Sequence, residues 1–208
     1  VKAFSIGETQ NGGLSVLTRE SNFNCQEEPD SSSNAILVIT SMNFYGDTLW
    51  TRALVNNYLA DQYELCSQNY IGLILHDGNY LIFGNYFADG EIKTWLLKTD
   101  SEGNIIWENS YDLSTTTDIT EGGDGNIYIS GGYGMWGSPT TAYIVKINQN
   151  GTQEWIHNES SSFNTRGSYI YPIVDNGLAV AGAYSSTDPD WNATGPWLWT
   201  TNSLGNTE

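Results

Sequence analysis

A glycine followed four residues later by a tryptophan recurs along this chain, as Gly46 and Trp50, Gly103 and Trp107, and Gly151 and Trp155. Each pair follows an apolar stretch that ends in polar turn residues: Asn43-Phe44-Tyr45-Gly46, Asp100-Ser101-Glu102-Gly103 and Asn148-Gln149-Asn150-Gly151. A fourth copy of the turn, Asn202-Ser203-Leu204-Gly205, is followed by Asn206, Thr207 and Glu208, one residue short of a fourth tryptophan position. Repetition of this kind implies units that bury their apolar faces only against one another. The expectation is a fourth unit left incomplete, in a segment of a longer product whose start precedes Val1.

A second turn lies upstream of each of these, as Asn11-Gly12-Gly13, Asp77-Gly78-Asn79, Asp124-Gly125-Asn126 and Asp175-Asn176-Gly177. Such residues accept positive φ and close hairpins. Between the two turn types lie short runs of β-formers, such as Tyr80 to Phe83, Ile127 to Ile129 and Leu178 to Val180, then Thr94 to Leu97, Ala142 to Val145 and Trp197 to Trp199. Each repeat therefore supplies four strands, a to d, in a unit of roughly 45 to 50 residues, the arithmetic of a propeller blade. The predicted fold is all-β, a β-propeller of four-stranded antiparallel blades over about 1–54, 55–112, 113–157 and 158–208. Trp50, Trp107 and Trp155 are read as packing in the seams between blades, with Gly46, Gly103, Gly151 and Gly205 as the structural glycines of the turns before strand d. Gly84, Gly131 and Gly182, at one position of strand b, are expected to permit close approach of an adjoining blade.

Composition supports the class: 22 Gly, 13 Tyr and 8 Trp, with only 15% of residues charged. Twenty-four acidic against seven basic residues leave a net charge of -17, which repels a phosphate backbone and excludes nucleic acid as a partner. No cofactor is called for, although so acidic a chain leaves Ca2+ open. None of its acidic runs has EF-hand spacing. No stretch reaches the twenty or so apolar residues that a membrane span requires.

The segment Lys98-Thr99-Asp100-Ser101-Glu102-Gly103-Asn104-Ile105-Ile106-Trp107, preceded by Asp77-Gly78-Asn79-Tyr80-Leu81-Ile82-Phe83-Gly84, resembles a propeller repeat of secreted bacterial proteins, many of them type nine secretion cargo. The likeness covers the chain and is weakest in the first repeat, where Ser41 stands for Lys98. The same segment is similar to the tryptophan-docking motif of the quinoprotein-dehydrogenase-like superfamily, which includes an outer-membrane assembly lipoprotein. Here Asp100 precedes Gly103 by one residue fewer than in that motif, and the adjacent cysteine pair of quinone-binding members is missing. The resemblance implies the fold and a secreted or cell-surface location, without the quinone site. Sialidase-type Asp boxes also combine an acidic residue, Gly and Trp, at a shorter spacing. The arginine cluster of those enzymes cannot be built from Arg19, Arg52 and Arg166.

Chemistry, if any, belongs to the long b-to-c and d-to-a loops, which the strand order puts at one end of every blade. They carry Tyr86, Phe87, Tyr133, Trp136, Tyr184 and Trp191, interleaved with Asp188 and Asp190. Aromatic platforms beside carboxylates suit sugar rings, and the plainer reading is that these rings anchor their own loops. Cys25 and Cys66 fall in loops of the same face, so a disulfide is expected there, with two free thiols as the alternative. His76 and His157 have no metal-ligand spacing, and no nucleophile elbow or phosphate-binding glycine loop occurs. Asn150, Asn158 and Asn192 open N-glycosylation sequons, and Asp47-Thr48-Leu49 looks like a bacterial O-glycosylation sequon.

These readings point to a non-catalytic, secreted or cell-surface unit that binds a glycan, peptide or partner protein through its loop-rich face. The alternatives are a fragment of a carbohydrate-active hydrolase or lyase, or a structural subunit of a surface complex. The expected partners are further blades of the same polypeptide or of another chain.

Overall fold

The computed structural model describes residues 2–20, 36–54, 71–88, 91–133, 141–159, 164–186 and 194–207. The chain divides into two compact units, Val1–Asp112 and Leu113–Glu208. Every sheet in both is antiparallel and made of strands consecutive in the chain. Among the described residues no helix is long and apolar enough to cross a membrane.

The first unit holds two sheets. One is β1 (Lys2–Glu8), β2 (Leu14–Glu20), β3 (Ile36–Met42) and β4 (Thr48–Leu54). The other is β5 (Ile71–Ile74), β6 (Tyr80–Ala88), β7 (Glu91–Thr99) and β8 (Ile105–Tyr111). One core joins them: Leu17, Leu37, Ile39 and Leu54 from the first sheet meet Tyr80, Ile82, Tyr86, Trp95 and Leu97 from the second. Because β6 and β7 are covered on both faces, they read as continuous apolar runs without alternation.

The second unit repeats the plan with β9 (Thr116–Glu121), β10 (Ile127–Tyr133), β11 (Thr141–Ile147) and β12 (Gln153–Asn158), followed by β13 (Asn164–Pro172), β14 (Leu178–Ser185) and β15 (Thr194–Thr201). The last sheet has three strands, and a bridge from Thr201 to Thr207 marks where a fourth would begin. Tyr128 and Ile144 of the third sheet pack with Ile170, Leu178, Val180 and Trp199 of the fourth. The expected all-β, blade-repeat architecture is therefore the architecture found.

The same turn precedes strand d four times. Asn43, Asp100, Asn148 and Asn202 each accept, through Oδ1, the backbone N–H groups two and four residues on, at 2.8 to 3.1 Å. Gly46, Gly103, Gly151 and Gly205 take φ of 79 to 87° and donate N–H back to the turn's first carbonyl. This is the three-residue hairpin whose last loop residue is left-handed. The extra residue follows in strand d: Leu49, Ile106 and Glu154 each bulge out of the ladder, which returns Trp50, Trp107 and Trp155 to register opposite Ser41, Lys98 and Lys146.

Two of the tryptophans can be followed into a seam. Trp50 packs on the shared core of the first unit, edge-on to Tyr80 at 6.0 Å. Trp155 packs on that of the second, 6.0 Å from Tyr128. Trp107 is half-buried on β8. At two of the strand b glycines the nearest obstacle to a side chain lies within the glycine's own sheet. A Cβ on Gly182 would stand 1.9 Å from the carbonyl oxygen of Arg166, and one on Gly131 would stand 2.3 Å from the Tyr143 hydroxyl. Both neighbours belong to the glycine's own sheet, where Ser168 and Thr117 bulge from strand a and push its backbone toward strand b.

Candidate functional site

The two ends of the sheets differ in how their polar groups are used. At the end carrying the a-to-b and c-to-d turns, charges serve the scaffold. Asp77 accepts from the Asn79 amide at 2.9 Å and from Lys98 at 3.3 Å, and Asp124 accepts from Asn126 at 2.8 Å, Tyr128 at 2.9 Å and Lys146 at 3.2 Å. Partial burial pushes Asp124 up, but the Asn126 side chain and N–H, the Tyr128 hydroxyl and Lys146 outweigh it and hold the carboxyl at about 2. Burial, with the hydrogen bond to Asp124, raises Tyr128 to about 12. Asp100, bonded to the Asn104 amide and to turn N–H groups, is also lowered. A Lys of strand c held by an Asp of the first hairpin is thus part of the blade, in both sheets where it occurs.

At the opposite end the described residues include four of the predicted aromatics. Tyr86 is 5% exposed, sits in the core of the first unit and shares a hydrogen bond with the Ser110 hydroxyl. The b-to-c loop expected to carry Tyr86 and Phe87 is mostly strand, since β6 runs to Ala88 and β7 begins at Glu91, and Tyr86 is buried. Phe87 stands opposite Ile92 in that ladder. Trp136, Trp191, Asp188 and Asp190 lie outside the described residues, as do Cys25 and Cys66.

Tyr133 and Tyr184 remain half-buried at the ends of β10 and β14. Tyr133 rests on the ring of Tyr143, centroid to centroid 4.9 Å. Tyr143 is completely buried; its hydroxyl donates to the carbonyl of Ser114 at 2.7 Å and meets the Thr116 hydroxyl at 2.9 Å. Burial drives its phenol far above the ordinary tyrosine range, so it stays neutral. Tyr133 is therefore backed by a fixed ring. Tyr184 lies against Gly195, where a Cβ would fall 2.9 Å from its Cε1.

Arg166 joins these two, and the sequence offered little reason to single it out. It is exposed on β13, its Cγ is 3.3 Å from where a Cβ on Gly132 would stand, and its neighbour Thr165 pairs with Tyr184. The Arg166 stem thus packs on the residue preceding Tyr133, from the strand that pairs with Tyr184. The Thr165 hydroxyl, which donates to Glu159 at 3.1 Å and accepts the N–H of Ala142 at 3.1 Å, fixes this edge. In the first unit the corresponding end carries an ion pair, Lys93 to Asp112 at 3.0 Å.

Asp118 is the remaining carboxylate with an unusual setting. It accepts the N–H of Ile170 from the next sheet at 2.9 Å, and burial raises it. Its oxygen is committed to holding the third and fourth sheets together. Among the described residues no group of three or more His, Cys, Asp or Glu gathers as a metal site would require.

No family model matches this chain, and no curated protein matches it in sequence. Solved structures similar in shape include a mannose phosphorylase from Leishmania mexicana in complex with phosphate ion, at 8% identity and a TM-score of 0.46. That match covers 97% of this chain and 64% of the phosphorylase, so the chain spans less than two thirds of its length. A glycosyl hydrolase from Bacteroides ovatus is similar at 8% identity and a TM-score of 0.48, over 99% of this chain and 69% of that one.

Proposed function

We propose that this chain is a non-catalytic binding unit of a secreted or cell-surface protein, and that it holds a glycan at the loop-bearing end of its sheets. The observation that carries this reading is the half-exposed ring of Tyr133, supported from behind by the immobilised Tyr143, with the exposed Arg166 packed on the adjacent Gly132. A ring fixed in place loses little entropy when a sugar face stacks on it, and a guanidinium offers a planar fork to hydroxyls or a carboxylate. The opposite end supports the division of labour, because its carboxylates are already spent on turns and on Lys98 and Lys146.

The test is a glycan array on the 208-residue chain, followed by calorimetry on the best-retained oligosaccharide. Retention without turnover is expected, with Tyr133→Ala and Arg166→Ala each weakening it by about ten-fold. Release of a shortened sugar would replace this reading with a carbohydrate-active enzyme. Equal retention by the wild type and both variants would remove the site.

A further inference from the structure

Among the described residues, three other than glycine have a positive φ: Asp175 and Asn176, in the turn between β13 and β14, and Thr115. Asp and Asn tolerate this conformation, and in that turn it closes a hairpin. Thr115 is a different case. It is β-branched, has φ 28°, and lies in no hairpin, since it immediately precedes β9. Its side chain is opposed there by its own backbone, and such a conformation persists only where the surrounding contacts fix it.

Three hydrogen bonds fix this one. The carbonyl of Ser114 accepts from the Tyr143 hydroxyl at 2.7 Å. That bond uses the single phenolic proton, so the Thr116 hydroxyl donates to the Tyr143 oxygen, at 2.9 Å. The carbonyl of Thr115 itself accepts the N–H of Gly132 at 3.3 Å. Tyr143 reaches this segment from β11 by crossing β10 at Gly131, its partner in register. A Cβ on Gly131 would stand 2.3 Å from the Tyr143 hydroxyl oxygen and 2.6 Å from the Thr115 carbonyl oxygen, so a side chain there would close the passage.

Both supports of Tyr133 trace to these same three residues. Its ring rests on the ring of Tyr143, with centroids 4.9 Å apart, and the hydroxyl of that second ring is held by Ser114 and Thr116. Its backbone follows Gly132, whose N–H is held by Thr115. Relaxation of Thr115 to an extended φ would turn its carbonyl away from Gly132 and carry the Ser114 carbonyl away from Tyr143.

We propose that Ser114, Thr115 and Thr116 form a strained brace latched by the Tyr143 hydroxyl, and that Tyr143 and Thr115 are positioning residues for the ring of Tyr133. The functional part of this rests on the reading that Tyr133 carries the glycan. Tyr143 is completely buried and acts only through the ring lying on it. Releasing the latch lets Thr115 relax and Tyr133 leave its place, and affinity falls by the fraction of molecules in which the platform is no longer formed.

The test compares the wild-type 208-residue chain with Tyr143→Phe, Thr115→Gly and the double variant, first without ligand. Tyr143→Phe keeps the ring and removes the latch, and circular dichroism checks that it folds. The Tyr133 ring signals in the NMR spectrum, assigned through Tyr133→Phe, are expected to shift and broaden in Tyr143→Phe. In the double variant they return toward their wild-type positions, because glycine adopts the bend without strain. Thr115→Gly alone leaves these signals in place and raises the midpoint of thermal unfolding by about 2 °C, a measurement that stands even if Tyr143→Phe does not fold. Affinity for the glycan that the wild type retains best is expected to fall about five-fold in Tyr143→Phe, with Tyr133 and Arg166 intact, and to recover in the double variant. A Tyr143 that merely fills the core would lower stability without moving the Tyr133 signals, and Thr115→Gly would restore nothing. That result overturns the proposal, as does a lower thermal midpoint in Thr115→Gly. If the wild type retains no glycan, the function proposed above falls, and the Tyr133 signals still decide whether the brace positions that ring.

Discussion

Trp50 lies over Gly103: the indole Cζ3 is 3.3 Å from the point where a Cβ on that glycine would stand, with the stem of Arg52 at 3.1 Å beside it. Trp155 stands in the same relation to Gly205, at 3.0 Å, with His157 as the companion. Glycine is thus required twice at this turn, once by its left-handed backbone and once by the indole of the preceding sheet. The Gly-to-Trp repeat reads as two halves of separate contacts, since Gly103 and Gly205 each receive the tryptophan of the repeat before.

Alanine substitution separates the two requirements. At Gly46 only the backbone conformation opposes a side chain, with φ 87° and nothing within 4 Å, and Gly46→Ala is expected to cost about 1 kcal/mol. Gly103→Ala carries the same backbone cost plus displacement of Trp50 and is expected to reach roughly 2 to 3 kcal/mol. Urea denaturation of the two variants checks the difference. Equal costs would mean that the indole moves aside freely.

Truncating the other partner leaves a void in place of a clash. Trp155 is half-buried against Tyr128 and the shared core of the third and fourth sheets, so Trp155→Ala is expected to lose roughly 2 to 4 kcal/mol. Trp155→Phe refills part of the space and is expected to recover about half of that. The readout is the midpoint of thermal unfolding, followed by near-ultraviolet dichroism.

Much of the scaffold was legible because its signals are local. Asn or Asp three residues before a positive-φ glycine marks a side chain that caps its own turn, and four copies made the mark unmistakable. The bulges were not legible: Leu49, Ile106 and Glu154 share no chemistry, because a residue displaced from the ladder toward solvent is not selected for one side chain. Tyr86, expected in a loop, lies in a strand because the ladder to β7 continues past it to Ala88 and Glu91. Arg166 was passed over because its meaning depends on Tyr133 and Tyr184, residues more than fifteen positions away on other strands.

The strand b glycines show the same limit, and they yield an expected result of their own. Gly182 is held 1.9 Å, by the measure of a built Cβ, from a backbone oxygen of Arg166 that cannot rotate away. Gly182→Ala must therefore separate β13 from β14, at roughly 2 to 4 kcal/mol. The first sheet has Thr18 at this position and the same bulge in strand a, between Ala3 and Ser5, so the bulge alone does not demand glycine. Hydrogen exchange in Gly182→Ala is expected to speed up in β13 and β14 ahead of β10 and β11.

Acid stability follows from Asp124. Its carboxyl titrates at about 2 in the folded chain against 3.8 for the ordinary group, so the unfolded chain takes up the proton first as pH falls. A depressed folded value stabilises fully above the unfolded value, and the contribution disappears between about pH 4 and pH 2. Asp118 works in the other sense: burial raises it, so the folded state gains relative to the unfolded one as that group takes its proton. Asp124→Asn isolates the first effect, because an amide there cannot pair with Lys146 in any protonation state. The partly exposed carboxylate is screened by solvent, which limits its share to about 1 kcal/mol. Urea midpoints should therefore fall between pH 6 and pH 3 more steeply for the wild type than for Asp124→Asn, with the two curves converging toward pH 2. Parallel curves would show that the Asp124–Tyr128–Lys146 contact does not survive in solution.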